Sequence, residues 1–179
     1  MLRRSLYGKI IQCHIDYSDA ESFVVGQLVY FDSNWFLMQD ISPNGYWNGL
    51  ALYRRSDIVA VDTDTDYLDR IVTLVNYRSE LVPLPIHIPS DPLKSLLTYA
   101  RDSMRVVGFE LHASGYRDVN GTIDSLGDQV ILVNQLDEFG RHDGMSYISI
   151  DSITRCYLDD EESRCLEILA SNREEKECL

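Results

Sequence analysis

From residue 23 the apolar and polar positions alternate: Phe23, Val25, Gln27 and Val29 fall on one side of an extended chain, and Val24, Gly26, Leu28 and Tyr30 on the other. A period of two is the mark of a β-strand. WFLMQDI follows as a second β-prone run, LALYRR and DIVAV as two more, and IIQCHID precedes them, so the first half of the chain offers five short strands. Asn48-Gly49 is a dipeptide that readily takes positive φ, and it is expected to close a tight hairpin. In the second half VVGFELH opens a similar series, and Asp143-Gly144 takes the hairpin position.

Between and after these runs the period changes to that of a helix. Thr65 is expected to cap a segment in which Asp66 suits the positive helix end and Tyr67, Leu68, Ile71, Val72, Leu74 and Val75 form a broad apolar face. Asp91 and Pro92 read as N-cap and first helical position, ahead of Leu93, Leu96, Leu97, Ala100 and Met104. A third helix is expected in DDEESRCLEILASNREEK, acidic at its start and basic near its end. The first half has no leading helix of this kind beyond the short MLRRSL.

The two halves are copies. With a shift of 95 positions, residues 24–64 fall on residues 119–159 without a gap. Gly26 then meets Gly121, Gly45 meets Gly140, Gly49 meets Gly144, and Leu28, Phe36, Leu37, Met38 and Ile41 meet Ile123, Ile131, Leu132, Val133 and Leu136. Four of the five prolines (Pro83, Pro85, Pro89, Pro92) lie between the copies, where they resist both helix and central strand. The expected organisation is a first domain over 1–80, a proline-rich linker over 81–92 lying against a domain surface, and a second domain over 93–179. A sheet of five short strands hides its edges by curling. The fold expectation is therefore mainly β: two tandem, strongly bent, five-stranded barrels with flanking short helices.

Composition narrows the function classes. The 179 residues are 45% hydrophobic and 25% charged, as in globular proteins. No apolar run approaches the roughly 20 residues of a membrane span, and the polar opening MLRRSLYGK gives the expectation of a soluble cytoplasmic protein without a membrane role. Sixteen basic against twenty-nine acidic side chains leave a net charge of -13, which repels phosphate backbones, so DNA is not an expected partner. Residues 1–80 carry seven basic and eleven acidic side chains and residues 81–179 nine and eighteen, so any nucleic acid is expected on the first copy. Cys13, Cys156, Cys165 and Cys178 form no CxxC pair and are expected to be free thiols.

GQLVYFDSNWFLMQDI, followed by YRRSDIVAV, resembles the two signature segments of Sm-like (LSm) proteins, a family with a small, bent, five-stranded barrel of the SH3 type. The likeness covers Gly26 to Val61, and Gly121 to Cys156 in outline. It implies a glycine at the sharp bend of the second strand, the place of Gly26 and Gly121. It also implies ring assembly and binding of uridine-rich or adenine-rich RNA through an Asp-x-x-x-Asn loop and an Ile-Arg-Gly loop. Asp32 and Arg54 stand at matching positions. Asn34 comes too early for the loop's Asn and Arg55 replaces the glycine, while the second copy carries Gly127 and Ser149 where Asp and Arg belong. Such a pocket keeps an aromatic ring for stacking and loses base discrimination.

Catalytic patterns are not read from the chain. His14, His87, His112 and His142 have no partner at a metal or nucleophile spacing, and the acidic run at 62–66 lacks the glycine and glutamate of a calcium loop. No catalytic residue, metal or cofactor is therefore expected. The exposed turn pair Tyr46-Trp47 is a candidate contact point, with Arg54 and Arg55 as a local basic spot. The expectation is a non-enzymatic interaction or assembly module, for protein partners or self-association. The alternative is an RNA-binding protein using Asp32, Trp35 and Arg54 on the first barrel.

Overall fold

A computed structural model describes residues 2–15, 22–78 and 91–177. The chain divides into two compact units, Met1–Pro92 and Leu93–Leu179. It is mainly β, with ten strands and three α-helices among the described residues. Of the proline-rich linker, residues 81–90 lie outside the described residues, as does Cys178.

In the first unit the strands are β1 (Ile10–His14), β2 (Phe23–Phe31), β3 (Trp35–Ile41), β4 (Trp47–Arg54) and β5 (Ala60–Asp62). All pair antiparallel in the order β5-β1-β2-β3-β4. Helix α1 (Asp66–Arg78) follows β5. Its first turn is capped as expected, the Leu68 N–H donating to Thr65 Oγ1 at 3.2 Å. Leu68, Ile71 and Val75 are its buried positions, and they cluster with Val25 and Ile41. The second unit opens with helix α2 (Pro92–Asp102) and repeats the sheet order as β10-β6-β7-β8-β9. Its strands are β6 (Val106–Leu111), β7 (Val119–Leu126), β8 (Val130–Leu136), β9 (His142–Ser149) and β10 (Ile153–Leu158), followed by α3 (Glu161–Glu177).

The shift of 95 holds in detail. The bounds of β3 and β4 fall on those of β8 and β9 residue for residue, and the 3-10 turn Arg55–Asp57 falls on Ile150–Ser152. Asp160 takes the place of Thr65, its Oδ1 accepting from the Ser163 N–H at 3.3 Å. The register slips in β2 between Leu28 and Tyr30 and in β7 between Ile123 and Ser125, again 95 apart. A Cβ on Gly26 would lie 2.5 Å from the Gln39 carbonyl oxygen, and one on Gly121 would lie 2.1 Å from that of Asn134. Both glycines are there because the neighbouring strand passes too close for any side chain.

Two expectations are corrected. Asn48-Gly49 does not turn the chain: the β3–β4 connection is Ser42 to Tyr46, closed by the Gly45 N–H on the Ser42 carbonyl, with Gly45 at φ +79°. Asn48 and Gly49 lie within β4, where the register against β3 slips between Gln39 and Ile41, and Gly49 supplies a bulge with φ +73°. Asp143-Gly144 repeats this in β9. The second correction concerns closure. Among the described residues β4 does not pair with β5, nor β9 with β10, so neither unit's strand order closes on itself. The short MLRRSL segment forms a 3-10 turn at Arg4–Leu6, equivalent in position to part of α2.

Cys13, Cys156 and Cys165 are free thiols. Burial pushes the Cys13 thiol up to about 12, with the carboxylates of Asp40 and Asp62 adding to it. Burial raises Cys156 as well, against the pull of Arg117. Because the thiolate is the reactive form, iodoacetamide at pH 8 is expected to modify exposed Cys165 in the native protein and to reach Cys13 and Cys156 only after unfolding. Peptide mapping before and after denaturant checks this; native labelling of Cys13 at the rate of Cys165 would contradict it.

Candidate binding site on the first unit

Six residues stood out in the sequence, and they fall at two ends of β3. Asp32, Trp35, Arg54 and Arg55 meet at one end, where the β2–β3 loop faces the β4–β5 junction. Tyr46 and Trp47 lie at the other, beyond the seven residues of β3.

The Asp32 loop is a short turn held by its own carboxylate. Asp32 Oδ1 accepts from the backbone N–H groups of Asn34 at 2.7 Å and Trp35 at 2.8 Å, and the Asp32 N–H donates to the Trp35 carbonyl at 3.0 Å. Across the sheet Trp35 pairs with Arg54, whose guanidinium carbon lies 5.5 Å from the Trp35 ring centroid. Arg55 sits 5.3 Å over the Phe31 ring and donates to the Asp32 carbonyl, while its own N–H donates to the Asn34 carbonyl at 2.8 Å. Tyr7, on the N-terminal turn, stacks on Phe31 with ring centroids 5.0 Å apart. Desolvation, with the Asp32 carboxylate and Tyr7 adding to it, raises the nearby Tyr30 phenol above its ordinary value. The arrangement offers aromatic faces with guanidinium cations over them, which suits a planar, anionic ligand.

The second unit supplies a control. The Gly127 N–H donates to the Val130 carbonyl at 3.0 Å and the Ile150 N–H to the Gln129 carbonyl at 2.9 Å, the bonds made by Asp32 and Arg55. Yet Gly127, Val130, Ser149 and Ile150 stand where Asp32, Trp35, Arg54 and Arg55 are. The loop backbone therefore forms without the carboxylate, the indole or either guanidinium. No family model matches the chain, and neither a curated protein nor a solved structure is significantly similar to it.

Tyr46 and Trp47 behave differently from each other. Tyr46 is 57% exposed, with the Arg78 guanidinium 4.1 Å from its ring centroid. Trp47 folds back onto the cluster of Val25, Ile41, Leu68, Ile71 and Val75, because α1 returns across the β3–β4 turn. Trp47 is thus partly buried against this cluster, and Tyr46 is the more exposed of the two candidate contact residues.

The acidic run at 62–66 is placed as strand end and helix cap: Asp62 Oδ2 meets His14 Nε2 at 2.9 Å, and Thr65 caps α1. Among the described residues no three His, Cys, Asp or Glu side chains are grouped to hold a metal ion, and no helix is long and apolar enough to cross a membrane. Sequence reasoning missed Tyr7 and Phe31. Phe31 was legible beside Asp32, but Tyr7 lies 24 residues away and is joined to it only by the fold.

Proposed function

We propose that the chain is a non-enzymatic assembly module: two tandem Sm-like small barrels of the SH3 type, with helical additions, that associates with further copies of itself through β9. The strand order repeated in both units, the bulge in the second strand and the obligate glycine beside it support the barrel reading. One contrast carries the functional reading. β9 ends the strand order of the second unit, and on it Met145 and Tyr147 are 42% and 76% exposed. Their equivalents in the first unit, Leu50 and Leu52, are 2% and 0% exposed. A terminal strand of eight residues with exposed apolar side chains is a ready template for another strand. The complementary edge is β5 of another copy, which ends the order of the first unit.

Asp143 is the one acid on β9, whereas the whole chain carries -13, so long-range repulsion opposes association and salt relieves it. Sedimentation velocity is expected to show species larger than the 20.6 kDa chain, increasing with salt. The double variant Met145→Lys, Tyr147→Lys is expected to be monomeric with an unchanged unfolding temperature, since both side chains are exposed. A wild type that stays monomeric at micromolar concentration and high salt contradicts the reading.

RNA binding is the second reading, favoured by the gathering of Asp32, Trp35, Arg54 and Arg55 on a loop that the other unit builds without them. Fluorescence anisotropy against a pool of short single-stranded RNAs tests it. The reading expects saturable binding that Arg54→Ala weakens by about tenfold, as loss of one charged contact would. Binding unaffected by Arg54→Ala removes this pocket.

A further inference from the structure

The two copies also differ where the helix after the sheet packs beside the β3–β4 or β8–β9 turn. In the first unit this place is apolar: Ile41 and Val75 belong to one buried cluster, and partly buried Ile10 and Trp47 pack against it. Shifted by 95, these positions are Arg105, Leu136, His142 and Ala170. Trp to His and Val to Ala remove volume, and Ile to Arg brings charge. The second unit accordingly has an open groove of about 1140 Å³ here, bounded by α2, β7, β8, the start of β9 and α3.

Arg101, Arg105, Arg141 and Arg173 line this groove together with His142 and the carboxylates of Asp124 and Glu167. That gathers four of the chain's sixteen basic residues into the more acidic half. Arg101 is also paired with Asp102 at 2.8 Å, so Arg141 and Arg173 are the two whose bonds leave a guanidinium end for a ligand. Both are held through Nε. Arg141 Nε donates to Asp137 Oδ2 at 2.6 Å, with its guanidinium 4.8 Å from the Phe139 ring centroid, and Arg173 Nε donates to the Phe139 carbonyl at 3.2 Å. Neither bond uses the terminal Nη groups, which form the part of the guanidinium suited to fork a carboxylate or phosphate. Arg105 is fixed by Glu167 at 2.8 Å and by Asp159. The arginines are thus oriented before any ligand arrives.

We propose that this groove of the second unit is a binding site for a small organic oxyanion, phosphate- or carboxylate-bearing, gripped at one end by Arg141 and Arg173. The fold does not require it, because the first unit packs Trp47 against its core at the same place.

The test is an NMR titration of the full chain with pyrophosphate and, separately, with citrate, in metal-free buffer at constant ionic strength, following the amides of Gly140, His142 and Ser171. Saturable shifts at these amides, weakened at least about tenfold in Arg173→Gln, are expected, as loss of a charge-assisted contact implies. Arg173 is exposed, so its variant is expected to keep the wild-type unfolding temperature. His142→Trp, which restores the residue that packs at this place in the first unit, is expected to abolish the shifts and decides the matter if Arg173→Gln is misfolded. Response to pyrophosphate alone assigns a phosphate ligand, and response to citrate alone a carboxylate. No saturable shift with either probe at millimolar concentration, or shifts unchanged in both variants, overturns the site.

Discussion

Replacing Gly121 by alanine is expected to destabilise the second unit by roughly 3 kcal/mol or more, the upper end of overpacking costs. The added methyl would stand 2.1 Å from the Asn134 carbonyl oxygen and 2.8 Å from Val133 Cγ1. The carbonyl cannot retreat without opening the β7–β8 ladder, in which Gly121 pairs with Gln135. For a domain of this size such a loss lowers the unfolding temperature by about 10–20 °C. Gly144→Ala is the matched control. Gly144 has φ +88°, but a methyl group there would meet nothing within 4 Å, so only the backbone strain of about 1 kcal/mol applies. Thermal unfolding of the two variants side by side separates crowding from conformation. Equal losses would mean that the second strand does not approach its neighbour as described.

An equally large effect is expected at the entrance to α3. Asp160 is 5% exposed, and its Oδ2 is met by Arg117 Nη2 while its Oδ1 caps the helix at Ser163. Arg117 lies 4.4 Å over the Tyr157 ring and its Nε is 3.3 Å from Glu162. Arg117→Met keeps the bulk and strands a buried carboxylate, a change that costs about 3–5 kcal/mol. The double variant Arg117→Met, Asp160→Asn keeps a capping oxygen and removes the stranded charge, so it is expected to be more stable than Arg117→Met alone. Denaturant titrations of the wild type, the single variant and the double variant measure this. A double variant less stable than the single would show that loss of Arg117 does not leave the Asp160 carboxylate stranded.

These sites show what could be read from the chain and what could not. Strand β2 was legible through its period of two and the other strands as short β-prone runs, and the duplication because Gly26 and Gly121, which the sheet requires, occupy matching places. Thr65 and Asp91-Pro92 marked helix starts through local chemistry that needs no tertiary context. Asn48-Gly49 misled because positive φ serves a bulge as well as a turn, and the dipeptide itself does not distinguish them. Trp47 reads as exposed in the sequence because its partial burial depends on α1, which starts well beyond it in the chain, folding back over the turn. The Asp32 loop and its arginines were legible through the likeness of GQLVYFD and YRRSDIVAV to known signature segments. The groove of the second unit was hidden, since RHDG reads as an ordinary turn until Arg101 and Arg105 are brought beside it.

Self-association through β9 is tested by hydrogen–deuterium exchange of the intact chain at low and high protein concentration, followed in the peptides that cover His142–Ser149. If a second copy pairs with this edge, exchange in β9 slows as concentration rises, while β7, already paired on both sides, is unchanged. Exchange in β9 that stays fast and independent of concentration would contradict assembly through this strand.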